Sequence, residues 1–443
     1  MTGPLRWTLG DVAETTAGQV VGDPATPVSS VTTDSRSVPE ASLFVALRGD
    51  HFDGHAFTAD AHAAGAGAVL VERPDGSGPC VVVADTGLAL RDLAAARRHE
   101  IDVPVVAVTG STGKTTTKDL LLAALPGAWG SPRSFNNEIG VPLTVLATPA
   151  AATHLVLEVG SRGGGHISWL GQAIRPDVAV ITNLGVVHLE TFGSLEALAD
   201  AKWELIELLG PRGIAVLPAD EEQLQRPGPG RVVRFGRDVG DVTVKDVTLD
   251  DVGRPSFKLV TRLGARAVTM PIAGRHQALN AAAATAAALE VGAGLDAIVA
   301  GLEHATASAW RMEVHPGRFT VVNDAYNANP QSVAGALETV AAMPGRHVAV
   351  LGEMAELGPV AAEEHARVGR LVRELGFISL VAVGSPYGLA AAAGDIAIEA
   401  EDADAAYDAV SATVDQGDVV LVKASRAVGL EHLAARLIEE ARR

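Results

Sequence analysis

The chain has 443 residues, 48% hydrophobic and 20% charged, with 53 acidic against 35 basic side chains and a net charge of −18. At roughly 100 to 200 residues per domain this predicts two to four domains, each with its own core. The acidic balance, with no basic run to concentrate positive charge, excludes nucleic acid and anionic membrane surfaces as expected partners. One cysteine, Cys80, cannot close an intramolecular disulfide, and Met1 to Asp11 lack the charged, apolar, small-residue order of a secretory signal. A reducing cytoplasm is the expected compartment. The longest weakly polar stretch, Ala278 to Leu289, is mostly alanine and falls far short of the ~20 apolar residues that span a bilayer. It reads as a tightly packed helix, and no membrane insertion is expected.

Three blocks follow one another. Residues 1–100 carry short strand signals at Gln19 to Val21, Leu43 to Leu47, Ala68 to Val71 and Val81 to Ala84. Residues 101–314 open with the apolar run Val103 to Val108, the pattern of a central parallel strand buried on both faces. Similar runs recur at Leu155 to Val159, Val178 to Ile181 and Ile214 to Leu217, with helical stretches at Thr115 to Leu125, Leu195 to Leu209 and Ala278 to Leu289. That alternation predicts a doubly wound, mostly parallel α/β sheet with ligands at the carboxyl ends of its strands. Val242 to Met270 alternates apolar and polar residues and reads as an antiparallel edge. After the turn His315-Pro316-Gly317, residues 315–443 repeat an α/β rhythm, with strands at Phe319 to Asn323, His347 to Leu351, Leu380 to Val383 and Val419 to Val422, and helices at Glu363 to Leu375 and Gly429 to Glu440. The expectation is a central phosphate-loop domain flanked by a small N-terminal α/β domain and a Rossmann-like C-terminal domain, able to hinge.

The strongest chemical signal is Gly110-Ser111-Thr112-Gly113-Lys114-Thr115-Thr116, where an apolar strand turns through two glycines into a helix. Glycines let backbone N–H groups converge on phosphate oxygens, the helix N-terminus favours anions, Lys114 adds a point charge, and the Thr115 hydroxyl can ligate Mg²⁺. The spacing, Gly110-x-x-Gly113, is shorter than the common G-x-x-x-x-G-K-[ST]. Glu158 ends a buried strand on the same rim and suits a metal ligand or water orienter, or an ion-paired glutamate. His188 follows the strand Val178 to Ile181 at its carboxyl end. Lys202, within a helix, is on physical grounds an ordinary solvated or ion-paired lysine. Asn280 offers an amide to a nucleobase, or belongs to a polar cluster opening its helix. Arg311 precedes the expected hinge and can neutralise a transferring phosphoryl group, or make a structural salt bridge. Asp324 can accept from ribose hydroxyls, or cap the helix from Gln331. His51 and His55 sit on a loop beside Gly54 and read as loop residues rather than zinc ligands.

Taken together these motifs resemble the Mur ligases, ATP-dependent amide-forming enzymes of peptidoglycan precursor synthesis, over essentially the whole chain. Within that family the resemblance is to the members that add D-alanyl-D-alanine to a UDP-N-acetylmuramoyl-tripeptide. It is carried by Thr33-Asp34-Ser35-Arg36, Phe44 to Gly49, Asn136-Asn137-Glu138-Ile139-Gly140-Val141-Pro142, Tyr326-Asn327-Ala328-Asn329-Pro330, Leu351 to Gly358 and Lys423-Ala424-Ser425-Arg426. The Tyr-Ala-His-Thr-Pro and Asp-Asn-Pro-Arg patterns of the ligase adding the third amino acid are absent from the sequence.

The resemblance implies ATP and two Mg²⁺ ions as cofactors. It implies that Gly110, Ser111, Thr112, Gly113, Lys114, Thr115 and Thr116 form the ATP loop, and that Asn280, Arg311, Asp324 and Asn327 contact adenine, phosphate, ribose and the γ-phosphate region. Thr115, Glu158 and His188 would bind magnesium together with Lys202, whose carbamylation would turn a cation into a carboxylate-like ligand. Lys114, Lys202, His188 and Arg311 would be catalytic. Asn136, Asn137 and Asn329 would face the muramyl substrate, and Ser35 and Arg36 the uridine nucleotide. Val159, His166 and Ala424 depart from the family's frequent methionine, glutamate and glycine. A monomer acting on small molecules is expected. Another ligase step of the same family, a P-loop NTPase switch and a non-catalytic nucleotide-binding scaffold are the competing readings.

Overall fold

A computed structural model describes residues 5–49, 52–185, 189–384 and 386–443. The N-terminal part forms a five-stranded sheet in the order Gln19–Val21, Cys80–Val82, Ala68–Val71, Ser42–Val45, Ser30–Thr32; its pairings are parallel except that of Gln19–Val21. The helix Thr86–Glu100 leads out of it, with Asp85 Oδ1 accepting from the Leu88 N–H as its N-cap. Near its end Arg97 and Arg98 are buried. Arg97 donates to the Thr148 carbonyl at 3.0 Å, and Arg98 to the carbonyls of Ile174 and Arg175 at 3.1 and 2.7 Å. These are carbonyls that a helix C-terminus leaves unpaired, so two guanidinium groups fasten the first unit to the second.

The middle of the chain builds a nine-stranded sheet in the order Gly264–Thr269, Pro255–Thr261, Val242–Leu249, Arg231–Arg237, Ile214–Pro218, Val178–Ile181, Val105–Thr109, Leu155–Glu158, Trp129–Gly130. Side chains alternate between its faces. Val105, Ala107, Leu155, Leu157, Ala179 and Ile181 join one core with the helices Gly140–Leu146, His166–Ile174 and Leu195–Glu207. Val106, Val108, Val156, Val178 and Val180 join another with Lys114–Ala124 and Gln277–Glu290. Helices on both faces explain why these strands read as unbroken apolar runs. The expected antiparallel edge needs one correction. Val242–Leu249, Pro255–Thr261 and Gly264–Thr269 do pair antiparallel in turn, but Val242–Leu249 joins the rest of the sheet parallel to Arg231–Arg237, a strand whose arginines at every third position hid it from the apolar pattern.

In the helix Gln277–Glu290 the eight residues 281–288 are all alanine except Thr285, and all are buried. With nothing longer than a threonine on that stretch, the helix can lie close against both the sheet and the helix Lys114–Ala124. The C-terminal part is a six-stranded sheet ordered Glu313–His315, Thr320–Asn323, Val419–Lys423, His347–Leu351, Ser379–Val383, Ala397–Ala400. It is parallel apart from its first strand and covered on both faces. The result is the doubly wound, mostly parallel α/β architecture expected from the strand and helix rhythm. Among the described residues no helix is long and apolar enough to cross a membrane.

Candidate active site

At the carboxyl end of Val105–Thr109 the chain turns through Gly110, φ +148°, and Gly113, φ +75°. A Cβ on Gly110 would strike Thr182 Oγ1, and one on Gly113 would strike Asn280 Oδ1, so both positions need glycine for conformation and for space. The neighbouring strand's end fixes the loop between them. The Thr112 N–H donates to Asn183 Oδ1 at 2.9 Å, Asn183 Nδ2 donates to Thr112 Oγ1 at 2.6 Å, and Thr182 Oγ1 donates to the Thr112 carbonyl at 2.5 Å. Lys114 folds back on its own loop, its Nζ donating to the carbonyls of Gly110 and Ser111 at 2.7 and 3.3 Å. Burial holds its pKa below the ordinary lysine value, Glu158 opposes that shift and Arg311 adds to it.

Beside the loop, Glu158 is 1% exposed. Its Oε1 accepts from Asn136 Nδ2 at 2.8 Å, while Oε2 is buried with no hydrogen-bond partner among the described residues. A carboxylate oxygen left so is costly unless a cation or donor meets it. Lys202 is buried on the helix Leu195–Glu207, and burial first, then the charge of Lys114, push its pKa well below the ordinary lysine value. His188 lies outside the described residues, as does His51; His55 bonds Asp53 at 2.6 Å instead of a second histidine.

Arg311 comes in from the segment joining the middle and C-terminal sheets. Its Nη2 donates to Thr115 Oγ1 at 3.0 Å and Ser134 Oγ at 3.1 Å, and its guanidinium lies 3.9 Å from the centre of the Tyr326 ring. Asp324, at the end of Thr320–Asn323, accepts from the Met312 N–H at 3.1 Å and pairs with buried Lys423 at 2.5 Å. It does not cap the following helix. Asn329 does, its Oδ1 accepting from the Ser332 N–H at 2.9 Å with Pro330 as the first helical residue.

These groups surround one cavity of about 670 Å³, lined by the loop residues Ser111 to Thr116 together with Asn136, Asn137, Glu158, Lys202, Asn280, Arg311, Asp324, Asn327 and Asn329. The Asn137 side chain accepts from the Gly140 N–H at 2.8 Å, and Asn280 Nδ2 donates to Gln277 at 2.8 Å. Gly110 supports the loop from behind and is not among the lining residues. Ser35 and Arg36 lie apart, in the exposed turn after Ser30–Thr32, where Arg36 bonds Asp34 at 2.8 Å and holds its carboxyl down to about 2. The wall also contains residues that the sequence did not single out: Ser134, Thr182, Asn183, His276 and, within a quoted motif but without a role, Lys423. Burial lowers the His276 pKa. Only the neighbourhood of Gly274 to Asn280 could have pointed to His276; Ser134 carries no local signal.

A cavity walled by a glycine-flanked lysine loop, an unpartnered buried carboxylate and a stacked arginine is built to receive a polyanion with its counter-ion. Sequence comparison matches three descriptions along the chain: Mur ligase family, catalytic domain over residues 27–108, Mur ligase middle domain over 108–288, and Mur ligase, glutamate ligase domain over 310–426. The chain is 36% identical to the UDP-N-acetylmuramoyl-tripeptide–D-alanyl-D-alanine ligase of Escherichia coli (strain K12), over 98% of each chain. It is 33% identical to the protein of that name from Bacillus subtilis (strain 168), over 98% of this chain and 99% of the relative. Among solved structures, MurF from Acinetobacter baumannii superposes with a TM-score of 0.91 at 32% identity, covering 98% of this chain and 99% of that one. MurF ligase from Thermotoga maritima in complex with ADP gives 0.85 at 30% identity, covering 93% and 97%. With near-complete coverage at this identity, and the same fold along nearly the whole chain, the chain belongs to the Mur ligase family.

Proposed function

We propose that this protein is an ATP-dependent amide-forming ligase that joins D-alanyl-D-alanine to UDP-N-acetylmuramoyl-tripeptide, giving the pentapeptide precursor of peptidoglycan in the cytoplasm. The observation that carries the reading is the convergence of three distant segments on one cavity: the loop at Gly113, the strand end at Glu158 and the inter-sheet segment at Arg311. The relatives matched over nearly their whole length are ligases of these substrates, and the ADP complex of the Thermotoga maritima relative supports nucleotide binding by this fold.

In the reaction, a terminal carboxylate oxygen of the tripeptide attacks the γ-phosphorus of ATP. The bond to the bridging oxygen breaks, ADP departs and an acyl phosphate forms. The amine of D-alanyl-D-alanine then attacks the acyl carbon, a tetrahedral intermediate collapses, inorganic phosphate leaves and the amine gives up a proton. The first step brings two anions together. Loop N–H groups with Lys114 cradle the phosphates, and Arg311, steadied by Tyr326, Thr115 and Ser134, meets the charge on the transferring group. Asn280 faces the base, Asp324 the ribose and Asn327 the γ-phosphate region. Asn136, Asn137 and Asn329 face the tripeptide end, and Ser35 and Arg36 the uridine nucleotide. Acyl phosphates hydrolyse, so a cavity walled by both the middle and the C-terminal parts of the chain would shelter the intermediate.

The donor set fits magnesium. The Glu158 Oε2 left without a partner and the Thr115 hydroxyl would serve as hard oxygen ligands, and His188 is proposed as a further ligand. Lys202 would join them as a carbamate: burial pushes the pKa of its amine well below the ordinary lysine value, which favours the nucleophilic free amine, and attack on CO₂ with loss of one proton would leave a carboxylate-like group. When bound, the metal supplies neutralisation of phosphate charge.

The test is phosphate release with each substrate present or omitted, coupled to product mass. The expected result is release that requires the tripeptide nucleotide, ATP and D-alanyl-D-alanine together, with a product heavier by one dipeptide residue pair. ATP hydrolysis indifferent to the muramyl substrate, with no lengthened peptide, would overturn the reading.

A further inference from the structure

Two charged side chains on the loop's helix have no role in that scheme. Lys118 is 2% exposed. Its Nζ donates to the Ser131 carbonyl at 3.0 Å and the Arg133 carbonyl at 2.9 Å, and pairs with Asp119 Oδ1 at 2.8 Å. The other oxygen of Asp119 accepts from Ser308 Oγ at 2.6 Å. One helical turn thus grips two separate stretches of chain. The first runs on into Ser134 and Asn136, which bond Arg311 and Glu158. The second runs on into Arg311 itself.

Both stretches hold unfavourable backbone. Arg133 has φ +49°, and Arg311 sits between Trp310 at +61° and Met312 at +51°. Left-handed conformations at non-glycine residues persist only where surrounding contacts hold them. Here the contacts are the Lys118 bond to the Arg133 carbonyl, the Asp119 bond to Ser308, and the Asp324 bond to the Met312 N–H. A buried ion pair often contributes no more to stability than apolar packing of the same volume, so stability alone is a weak explanation for charges at these two positions.

We propose that Lys118 and Asp119 are positioning residues. They lock the segments 131–136 and 308–311 in register with the phosphate loop, so that Ser134, Asn136 and Arg311 arrive at the transferring phosphoryl group as one rigid set. The proposal deepens the ligase reading and rests on it. It differs from a packing role in one respect: the Asp119–Ser308 arm acts through Arg311.

The experiment is steady-state ligation by the full-length enzyme, comparing wild type, S308A, R311K and the double variant. S308A removes one hydroxyl and keeps the ion pair. The expected result is a fall in kcat of about tenfold with little change in KM for ATP, as for a displaced catalytic group, and no further fall when S308A is added to R311K. K118M, where it folds, should raise KM for the tripeptide nucleotide as well, because it releases the 131–136 segment. An S308A enzyme with wild-type kcat, or one whose loss is the same in both backgrounds, would overturn the proposal. A wild-type enzyme that makes no peptide product would overturn the ligase reading instead.

Discussion

Gly113→Ala isolates what the loop's geometry is worth. At φ +75° an alanine strains the backbone by about 1–2 kcal/mol. Its Cβ also lands on Asn280 Oδ1, so the amide must turn away and give up its 2.8 Å bond to Gln277, about 1 kcal/mol more. If the loop escapes both costs by leaving its phosphate-binding shape, the total of about 2–3 kcal/mol is charged to nucleotide affinity, an increase in Kd of about 30- to 140-fold. Calorimetric titration with ADP reads this directly. Gly292→Ala is the control: its φ is +93° but a Cβ there meets nothing within 4 Å, and it lies outside the cavity wall. It should leave nucleotide affinity unchanged. A G113A enzyme binding ADP within about threefold of wild type, or a G292A enzyme weakened to the same degree, would show that the strained glycine does not set the binding shape.

Two further outcomes are expected. Arg311→Lys keeps the charge but cannot serve both hydroxyls while stacking on Tyr326, so kcat should drop about 100- to 1000-fold; a loss under about threefold in the ligation assay would remove Arg311 from the phosphate. Burial lowers the Lys202 pKa from 10.5, so between the depressed and the ordinary value the unfolded chain binds one proton more than the folded one. Its contribution to stability therefore increases as pH rises through that window. Denaturation midpoints of CO₂-free enzyme should climb with pH more steeply for wild type than for Lys202→Met, and bicarbonate should restore activity to wild type alone; parallel midpoints with no bicarbonate effect would refute the neutral-amine argument.

What the sequence made legible was what is written contiguously. Val105–Thr109 announced itself because a strand covered on both faces has no polar alternation, and the seven residues from Gly110 to Thr116 declare their chemistry because strand, turn and helix N-terminus follow in order. Arg231–Arg237 escaped because an arginine at every third position, 231, 234 and 237, matches neither an unbroken apolar run nor a two-residue alternation. Asp324 looked like a cap because capping is a local device, yet its partner, Lys423, is 99 residues away, and the nearer Asn329 already serves the helix. Position in the pattern pointed to Glu158 and Arg311, and family resemblance alone to Lys202, but neither said anything of Ser134, Lys118 or Ser308, whose value lies only in what folding brings beside them.

The same division explains how a chain of net charge −18 can serve two polyanionic substrates. Net charge sums over groups that water and salt largely screen from one another beyond about 10 Å, whereas the cavity joins Lys114, Arg311 and Lys423 in one wall, where partly buried charges are screened less. Asp324 balances Lys423 directly, and Glu158 opposes Lys114 from the side where a metal would enter. A protein can therefore remain acidic overall while one wall of its cavity, beside the phosphate loop, presents cations. That contrast arises from three segments far apart in the chain, and composition averages it away.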